Sequence, residues 1–477
     1  MSDTTGAAQQ EQRPAHRHAV VIGGGLAGML AAAALAPHAE QVTVIERDTL
    51  PAGPEARVFL PQAPHAHVLW SGGSRALEDL LPGFEDRLLA AGARHIPLTA
   101  GMVAFSPRGW YRRWKPTHHL ISCTRPLLDW VVRDLVTALP NVRVLEGTRV
   151  RGLCGGADRI TGVRILRPDG TEDEIPAAFT VEASGRATQA PRWLSELGVP
   201  DVLEEVVDSG LVYASRMYQA PAGTEEFPVV TVQAVANSGQ PGRSVTMLPV
   251  EGGRWLVTLI GTRGAQPTSD PDAFEEYART VRHPVVAELL AYAKPLSDVT
   301  TFANTANRRR YYEKARAWPE GFLVAGDAAA AFNPVYGHGM SVAAQAARAL
   351  RDCLNGHGLH APRLARRAQR AVARPVSVAW SLATGQDIFY PGVIGKTPTT
   401  GDRLLARYVD RLVHTATGDF LVATALTEVM ALSAPLSALV RPRVLWHALR
   451  GPRLPQLSGP PLTESELRFM TRTDAEA

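Results

Sequence analysis

HAVVIGGGLAGMLAAAALAPHAEQVTVIERD, His18 to Asp48, decides how the rest of the chain is read. It opens on a short β-branched run and breaks at three consecutive glycines. It continues through small residues and closes on a second β-branched run. Strand, helix and strand in that order make a β-α-β unit. Gly23, Gly25 and Gly28 spell G-x-G-x-x-G at the strand-to-helix turn, with Gly24 and Ala27 between them. The first glycine permits the tight turn, the second lets backbone approach a pyrophosphate, and the third lets helix pack close to strand. The helix N-terminus offers free N–H groups and partial positive charge to phosphates. Glu46 ends the second strand 18 residues after Gly28, where a carboxylate accepts from ribose hydroxyls, and Arg47 follows it. A glycine turn before an ordinary core helix explains the glycines but not the acid. The pattern predicts a bound dinucleotide and does not choose NAD over FAD.

A second stretch bears on that choice: GFLVAGDAAAAFNPVYGHGMSVAAQAA, Gly321 to Ala347. Its first apolar residues, 322–325, read as a buried strand. Gly326 turns the chain, and Asp327 stands at the carboxyl end of the strand, the edge where doubly wound sheets bind ligands. Pro334 blocks helix formation through the bend. Gly337 and Gly339 bring backbone close to something flat or charged. From Met340 a small-residue helix begins, its N-terminus aimed at the same place. Helix N-termini stabilise negative charge, and a reduced flavin carries negative charge at one edge of its ring. A kinked helix start accounts for Pro334, but not for Asp327 together with both glycines.

Elsewhere the periodicities alternate between helix and strand. Residues 77–91 are helical with a break at Pro82-Gly83, residues 102–123 read as strands, and residues 125–139 form an amphipathic helix. Residues 142–153 and 160–166 are strand-like. Between 211 and 262, four strand-like runs separated by Pro, Gly and Asn turns predict an antiparallel sheet. A helix over residues 271–292 follows. After Asp327 the chain is mostly helical, with a Pro/Gly-rich break at 390–401. The fold class expected is α/β (α+β overall): a Rossmann-like domain, an inserted antiparallel-sheet substrate domain and a helical C-terminal part. The boundaries are 1–17 for a disordered tail; 18–85, 120–200 and 300–360 for the nucleotide domain; 86–119 and 201–299 for the sheet domain; and 361–477 for the helices. Tyr213, Arg216, Tyr218 and Trp255 lie on predicted sheet strands. Alternation puts some of them toward a cavity, and spacing leaves open which.

Composition narrows the function class. The chain has 477 residues, is 45% hydrophobic and carries a formal net charge of +4. Its lysines are Lys115, Lys294, Lys314 and Lys396; the excess of Arg reads as a GC-rich genome. The basic clusters Arg308–Arg310 and Trp110–Trp114 are too short for a nucleic-acid footprint. Arg308 and Arg309 read instead as a solvated strand end. Cys123, Cys154 and Cys353 form no C-x-x-C, so neither zinc nor a redox disulfide is expected, and reduced thiols point to the cytoplasm. The polar N-terminus has no apolar core for a secretory signal. Glu428 and Pro435 interrupt the apolar run 419–440, so it reads as a buried helix pair rather than a span. Peripheral membrane contact stays open. His65 and His67 share one face of an extended segment, but no third and fourth ligand follow, so no metal is expected. No Ser-His-Asp order or paired-carboxylate pattern stands out, which fits a cofactor carrying the chemistry.

The two glycine-rich motifs together resemble the FAD-dependent monooxygenases of the p-hydroxybenzoate hydroxylase fold. The resemblance extends to EASGR, Glu182–Arg186, where Glu182 stands for the usual Asp, and to TRPLLDWVVR, whose Arg125 falls where an Arg lies near the FAD phosphates. A closer resemblance, over nearly the whole chain, is to the polyene epoxidases of polyether-ionophore biosynthesis, the monensin and lasalocid type. Its stretches are PQAPHAHVLWSGG (Pro61–Gly73), DSGLVYASRMYQAP, EGGRWLVTLIGTRG, NRRRYYEKARAWPEGFLVAGDA, FNPVYGHGMS and LATGQDIFYPG. Where those enzymes have Arg-Lys-Gly before Pro-Gln, this chain has Arg57-Val58-Phe59, which leaves Arg57 as the flavin-loop cation. The loop holding His65 and His67 then runs beside the flavin, or the two serve that loop structurally.

The resemblance implies FAD, O₂ and a linear polyene polyketide as substrate. It implies epoxidation through a flavin C4a-hydroperoxide, in which no protein nucleophile takes part. Asp327 would hold the ribityl chain, and Pro334, Gly337, Gly339 and Met340 would shape the ring site. The W-x-W-x-I-P stretch of tryptophan halogenases is absent from WYRRWKP, and GLCGGADRITG lacks the spacing of a second dinucleotide loop. Electrons would come from NAD(P)H docking transiently or from reduced flavin delivered by a reductase. An aromatic polyketide hydroxylase is the main alternative, a double-bond reductase the next, and a non-catalytic FAD- or NAD-binding module the reading from another class.

Overall fold

Consecutive β-branched residues at His18–Ile22 and Gln41–Ile45, buried on both faces, make parallel neighbours, joined by the alanine-rich helix Leu26–Leu35. Helix and strands pack closely because the helix presents mostly Gly and Ala beside Leu and Met29, nearly all buried. In a computed structural model that describes residues 17–471, the sheet grows to five parallel strands. Their order is Phe322–Val324, Phe179–Glu182, His18–Ile22, Gln41–Ile45 and Val142–Leu145. The first strand is thus central, and its glycine turn opens at the sheet's carboxyl edge. Chain segments more than 100 residues apart supply its neighbours. The expected disordered tail falls on residues of which 1–16 lie outside those described.

A second sheet stands over that edge. Val212–Gln219 pairs antiparallel with Arg254–Gly261, which pairs with Arg243–Val250, which pairs with Val229–Val232. These are the four runs read from the sequence. Met102–Ser106 joins the sheet parallel to Val229–Val232. One face is covered by helices Pro271–Thr280 and Val285–Leu290. The single helix expected over 271–292 is two, because Pro284 has no N–H to continue the first. Helix Phe84–Ala90 crosses the expected seam at residue 85, burying Phe84 and Leu88 in the core of the parallel-sheet unit.

The C-terminal part is helical: Gly339–His357, Leu364–Asp387, Thr400–Ala416, Phe420–Met430 and Pro442–Arg450. The apolar run 419–440 becomes the helix Phe420–Met430 and a short turn, Leu436–Val440, which bury Val422, Val429 and Leu439 in a local cluster. Among the described residues no helix is long and apolar enough to cross a membrane. Segment 455–471 returns across the sheet domain, where Arg113 binds Glu466 and Arg112 donates to Pro455 O. The Trp110–Trp114 cluster is therefore an internal tie.

Candidate active site

Glycine geometry shows what the two motifs enclose. Gly23 has φ +99°, and a Cβ there would meet Ala183 O at 2.7 Å. A Cβ on Gly28 would lie 1.8 Å from Gly23 O, so helix and turn close only around glycine. Gly25, at the helix N-cap, faces open space: nothing stands within 4 Å of its ideal Cβ. That is the cradle a pyrophosphate needs. Gly326 has φ +61°, and its Cβ would sit 2.6 Å from that of Ala27. Two motifs 300 residues apart therefore meet at one helix N-terminus. Gly339, at the start of the long helix Gly339–His357, is likewise open.

At the nucleotide end, Glu46 Oε2 accepts from Gly24 N–H at 2.7 Å, and its Oε1 accepts from Asp48 N–H at 2.9 Å. Arg57 pairs with Glu46 at 2.7 Å and Asp48 at 3.4 Å and donates to Gly24 O at 2.9 Å. Its buried Nε has no partner. Arg57 is thus built into the glycine loop and its acid. Arg47 is exposed and stacks on the Phe59 ring at 4.2 Å. Arg125 opens the helix Arg125–Thr137 and is buried, with its Nε on Asp129 at 2.7 Å. Burial first, then the Arg125 charge, pushes His67 down to about 3.

EASGR closes the underside. Glu182 is fully buried at the end of its strand and accepts from Ser184 and from Thr188, the latter at 2.7 Å. Burial raises its pKa against those hydrogen bonds. Arg186 lies 3.6 Å from Asp327, whose carboxylate is partly exposed. Burial lowers the Arg186 pKa and the Asp327 charge opposes it.

The bend is rigid. Pro334–Tyr336 forms a single turn, capped by the Asn333 side chain accepting from Val335 N–H, and ends at Gly337 with φ +63°. A Cβ at Gly337 would collide with Val68 at 2.4 Å. Trp70 Nε1 donates to Tyr336 O at 3.1 Å. His338 is buried, with Nε2 3.0 Å from Met430 O, and burial pushes it down to about 4. Gln345 Nε2 donates to Leu432 O at 2.8 Å, so the C-terminal helices hold the bend from behind.

One residue of this assembly escaped the sequence reading. Asp387, buried at the end of Leu364–Asp387, accepts from Asn307 at 2.7 Å, Asn333 at 2.8 Å and the Tyr336 hydroxyl at 3.1 Å. Burial pushes its carboxyl up to about 6, against those three hydrogen bonds. The local signal was an acid ending a mostly apolar helix face that also buries Gln369 and Thr384.

Alternation on the inserted sheet is now resolved. Tyr213 faces the bend, its hydroxyl 3.4 Å from Asn333 Oδ1. Tyr218 and Trp255 point the other way, into the core beneath the helices. Arg216 also points away, with its Nε on Ser297 O. Arg309 corrects the expectation of a solvated strand end: it is buried, on Glu313 at 2.7 Å and Ser377 at 2.9 Å. Its neighbour Arg308 keeps to the surface, 3.6 Å from Glu204. Among the described residues no cluster of His, Cys, Asp or Glu is arranged to hold a metal.

A profile of the family described as FAD binding domain matches residues 17–358. Protein Rv3254 of Mycobacterium tuberculosis (strain ATCC 25618 / H37Rv) is 31% identical over 386 residues, spanning 78% of this chain and 80% of that one. Kynurenine 3-monooxygenase of Salinispora arenicola (strain CNS-205) is 28% identical over 378 residues, spanning 75% and 76%. Among solved structures, the flavin-dependent brominase Bmp2 superposes with a TM-score of 0.60 at 15% identity, over 91% of this chain and 99% of that one. At that distance the likeness speaks for the fold alone.

Proposed function

The chain belongs to the FAD-binding domain family of the FAD-dependent monooxygenases, and on that premise we propose that it epoxidises C=C bonds of a linear polyene polyketide. FAD is the cofactor, and when bound it supplies the oxygen-activating chemistry. The observation that carries the flavin half of the reading is the meeting of Gly326 with Ala27, which joins the dinucleotide cradle to the Asp327–Gly339 bend; the apolar wall described next carries the substrate half. Gly25 leaves room for the pyrophosphate, Glu46 and Arg57 take the ribose end, and Asp327 takes the ribityl chain.

The chain's own residues position and exclude. Asp387 and Asn333 hold Pro334–Tyr336 in one conformation, so the rim of the ring site does not wander. Trp70 holds Tyr336 O from one side, and His338 reaches Met430 O of the C-terminal helices on the other. The opposing wall, Leu211, Tyr213, Ile260 and Phe302, is apolar and meets Val335 of the bend. A wall of that kind suits a long apolar chain, with Arg216 turned away and offering no anchor for a carboxylate. Epoxidation requires a double bond held in line and water kept out, and both tasks are steric. The electron source in this proposal is NAD(P)H docking in the FAD groove, or reduced flavin from a separate reductase, and the enzyme works in the cytoplasm.

A substrate panel tests the proposal. With FAD, reductant, O₂ and bromide present, the linear polyene gains one oxygen per reacting double bond. Ring hydroxylation of an aromatic polyketide, or bromination, with the polyene untouched would replace the reading by a hydroxylase or a halogenase.

A further inference from the structure

His65 lies at the seam between the nucleotide unit and the inserted sheet, 3% exposed. Its Nδ1 is 2.7 Å from Ser215 Oγ, which is 2.6 Å from Thr258 Oγ1, which accepts from Ala66 N–H at 3.0 Å. Burial pushes the imidazole down to about 4, so the ring is neutral near pH 7 and one nitrogen carries the proton. The relay decides which. If Nδ1 were protonated it would donate to Ser215, Ser215 would donate to Thr258, and the buried Thr258 proton would have no acceptor. The Nε2 lone pair would be unpaired as well. In the other direction Thr258 donates to Ser215 and Ser215 donates to Nδ1. Every hydroxyl proton is then placed, and a single group is left over. Buried polar groups are paired in native proteins, so the direction with one orphan prevails. That orphan is a buried Nε2–H.

The ring stands 5.9 Å, centroid to centroid, from both Tyr213 and Phe302. Those two belong to the apolar wall that meets Val335 of the bend, and the Leu211, Ile260, Phe302 and Val335 side chains offer no acceptor. We propose that His65 is a specificity-determining residue whose Nε2–H donates to an uncharged acceptor oxygen, a ketone or ester carbonyl, of an otherwise apolar substrate. The Tyr213 hydroxyl is turned to Asn333 Oδ1, so among the described residues Nε2–H is the one unengaged donor of this wall, and it discriminates an oxygenated chain from a hydrocarbon and does not hold a carboxylate. Ser215 and Thr258 are positioning residues, because they set the tautomer. This rests on the monooxygenase reading and deepens it by naming what the substrate carries besides double bonds.

The test uses the FAD-loaded enzyme, with a linear polyene methyl ketone and the matching polyene hydrocarbon as probes and no turnover. Nitrogen-15 histidine spectra should show His65 protonated at Nε2, with that resonance shifting on addition of the ketone. By flavin absorbance titration the ketone should bind about tenfold more tightly than the hydrocarbon, the increment expected of one hydrogen bond. His65→Phe should abolish the preference and leave the substrate-free flavin spectrum unchanged. Ser215→Ala, a milder change, should weaken the preference and mix the tautomers. An Nδ1-protonated ring, a ketone preference that survives His65→Phe, or failure of the wild type to bind the ketone overturns the proposal. So does a substrate-free flavin spectrum altered by His65→Phe, which would make the flavin the acceptor. Binding and tautomer are read without oxygen transfer, so an enzyme that discriminates but never oxygenates contradicts the monooxygenase reading alone.

Discussion

Asp387 shows how a single buried carboxyl can tie a cofactor bend to pH. Its folded-state pKa, about 6, lies above the ordinary 3.8. Between those values the folded protein holds the proton and the unfolded chain has released it. The stability this supplies is complete below the unfolded value and is lost as pH rises through about 6. Asp387→Asn, neutral throughout, should therefore lack this pH dependence. From pH 4 to pH 7 the wild type should lose about 2 kcal/mol relative to it, by chemical denaturation. Equal slopes for both proteins would mean that Asp387 titrates normally. At the glycine loop, two single methyls should separate folding from binding. Gly28→Ala drives a Cβ into Gly23 O and should cost about 1–3 kcal/mol of stability along with FAD retention. Gly25→Ala meets open space, so apo stability should stay within about 0.5 kcal/mol while FAD affinity falls about tenfold.

Elements whose cause is local could be read from sequence. The glycine turn, the break at Pro82-Gly83, the bend at Pro334–Gly337 and the four strands of the inserted sheet all announce themselves within a dozen residues. What stayed hidden depends on partners far along the chain. His65 meets Ser215 150 positions away, and Asp387 meets Asn307 80 positions away. Arg309 looked solvated because Ser377, 68 positions away, could not be placed against it in advance. Segment 455–471 offers a sharper case. Interrupted by Pro455, Pro460 and Pro461, it shows no period, yet Phe469 packs edge-on against Trp255, Phe227 and Tyr292. Phe469→Ala should cost about 3 kcal/mol in thermal unfolding. It should leave the bound-flavin spectrum unchanged, because the ring lies on the face of the sheet away from the bend. A spectral change would mean that the tail reaches the site.

For the molecule as a whole, the fold brings two loops to one sheet edge and sets an apolar wall opposite. On the proposed reading, the flavin chemistry then needs placement rather than a protein nucleophile. The family follows from the match over residues 17–358 and the relatives, while the kind of oxygen transfer rests on the wall and on the resemblance. The decisive measurement is oxygen-18 incorporation. The FAD-loaded enzyme, supplied with reductant and ¹⁸O₂, acts on a linear polyene ketone, and the product is read by mass and NMR. The account predicts one ¹⁸O atom per lost double bond, held in an oxirane. A polyene recovered unlabelled, while an aromatic partner gains ¹⁸O as a ring hydroxyl, would contradict it.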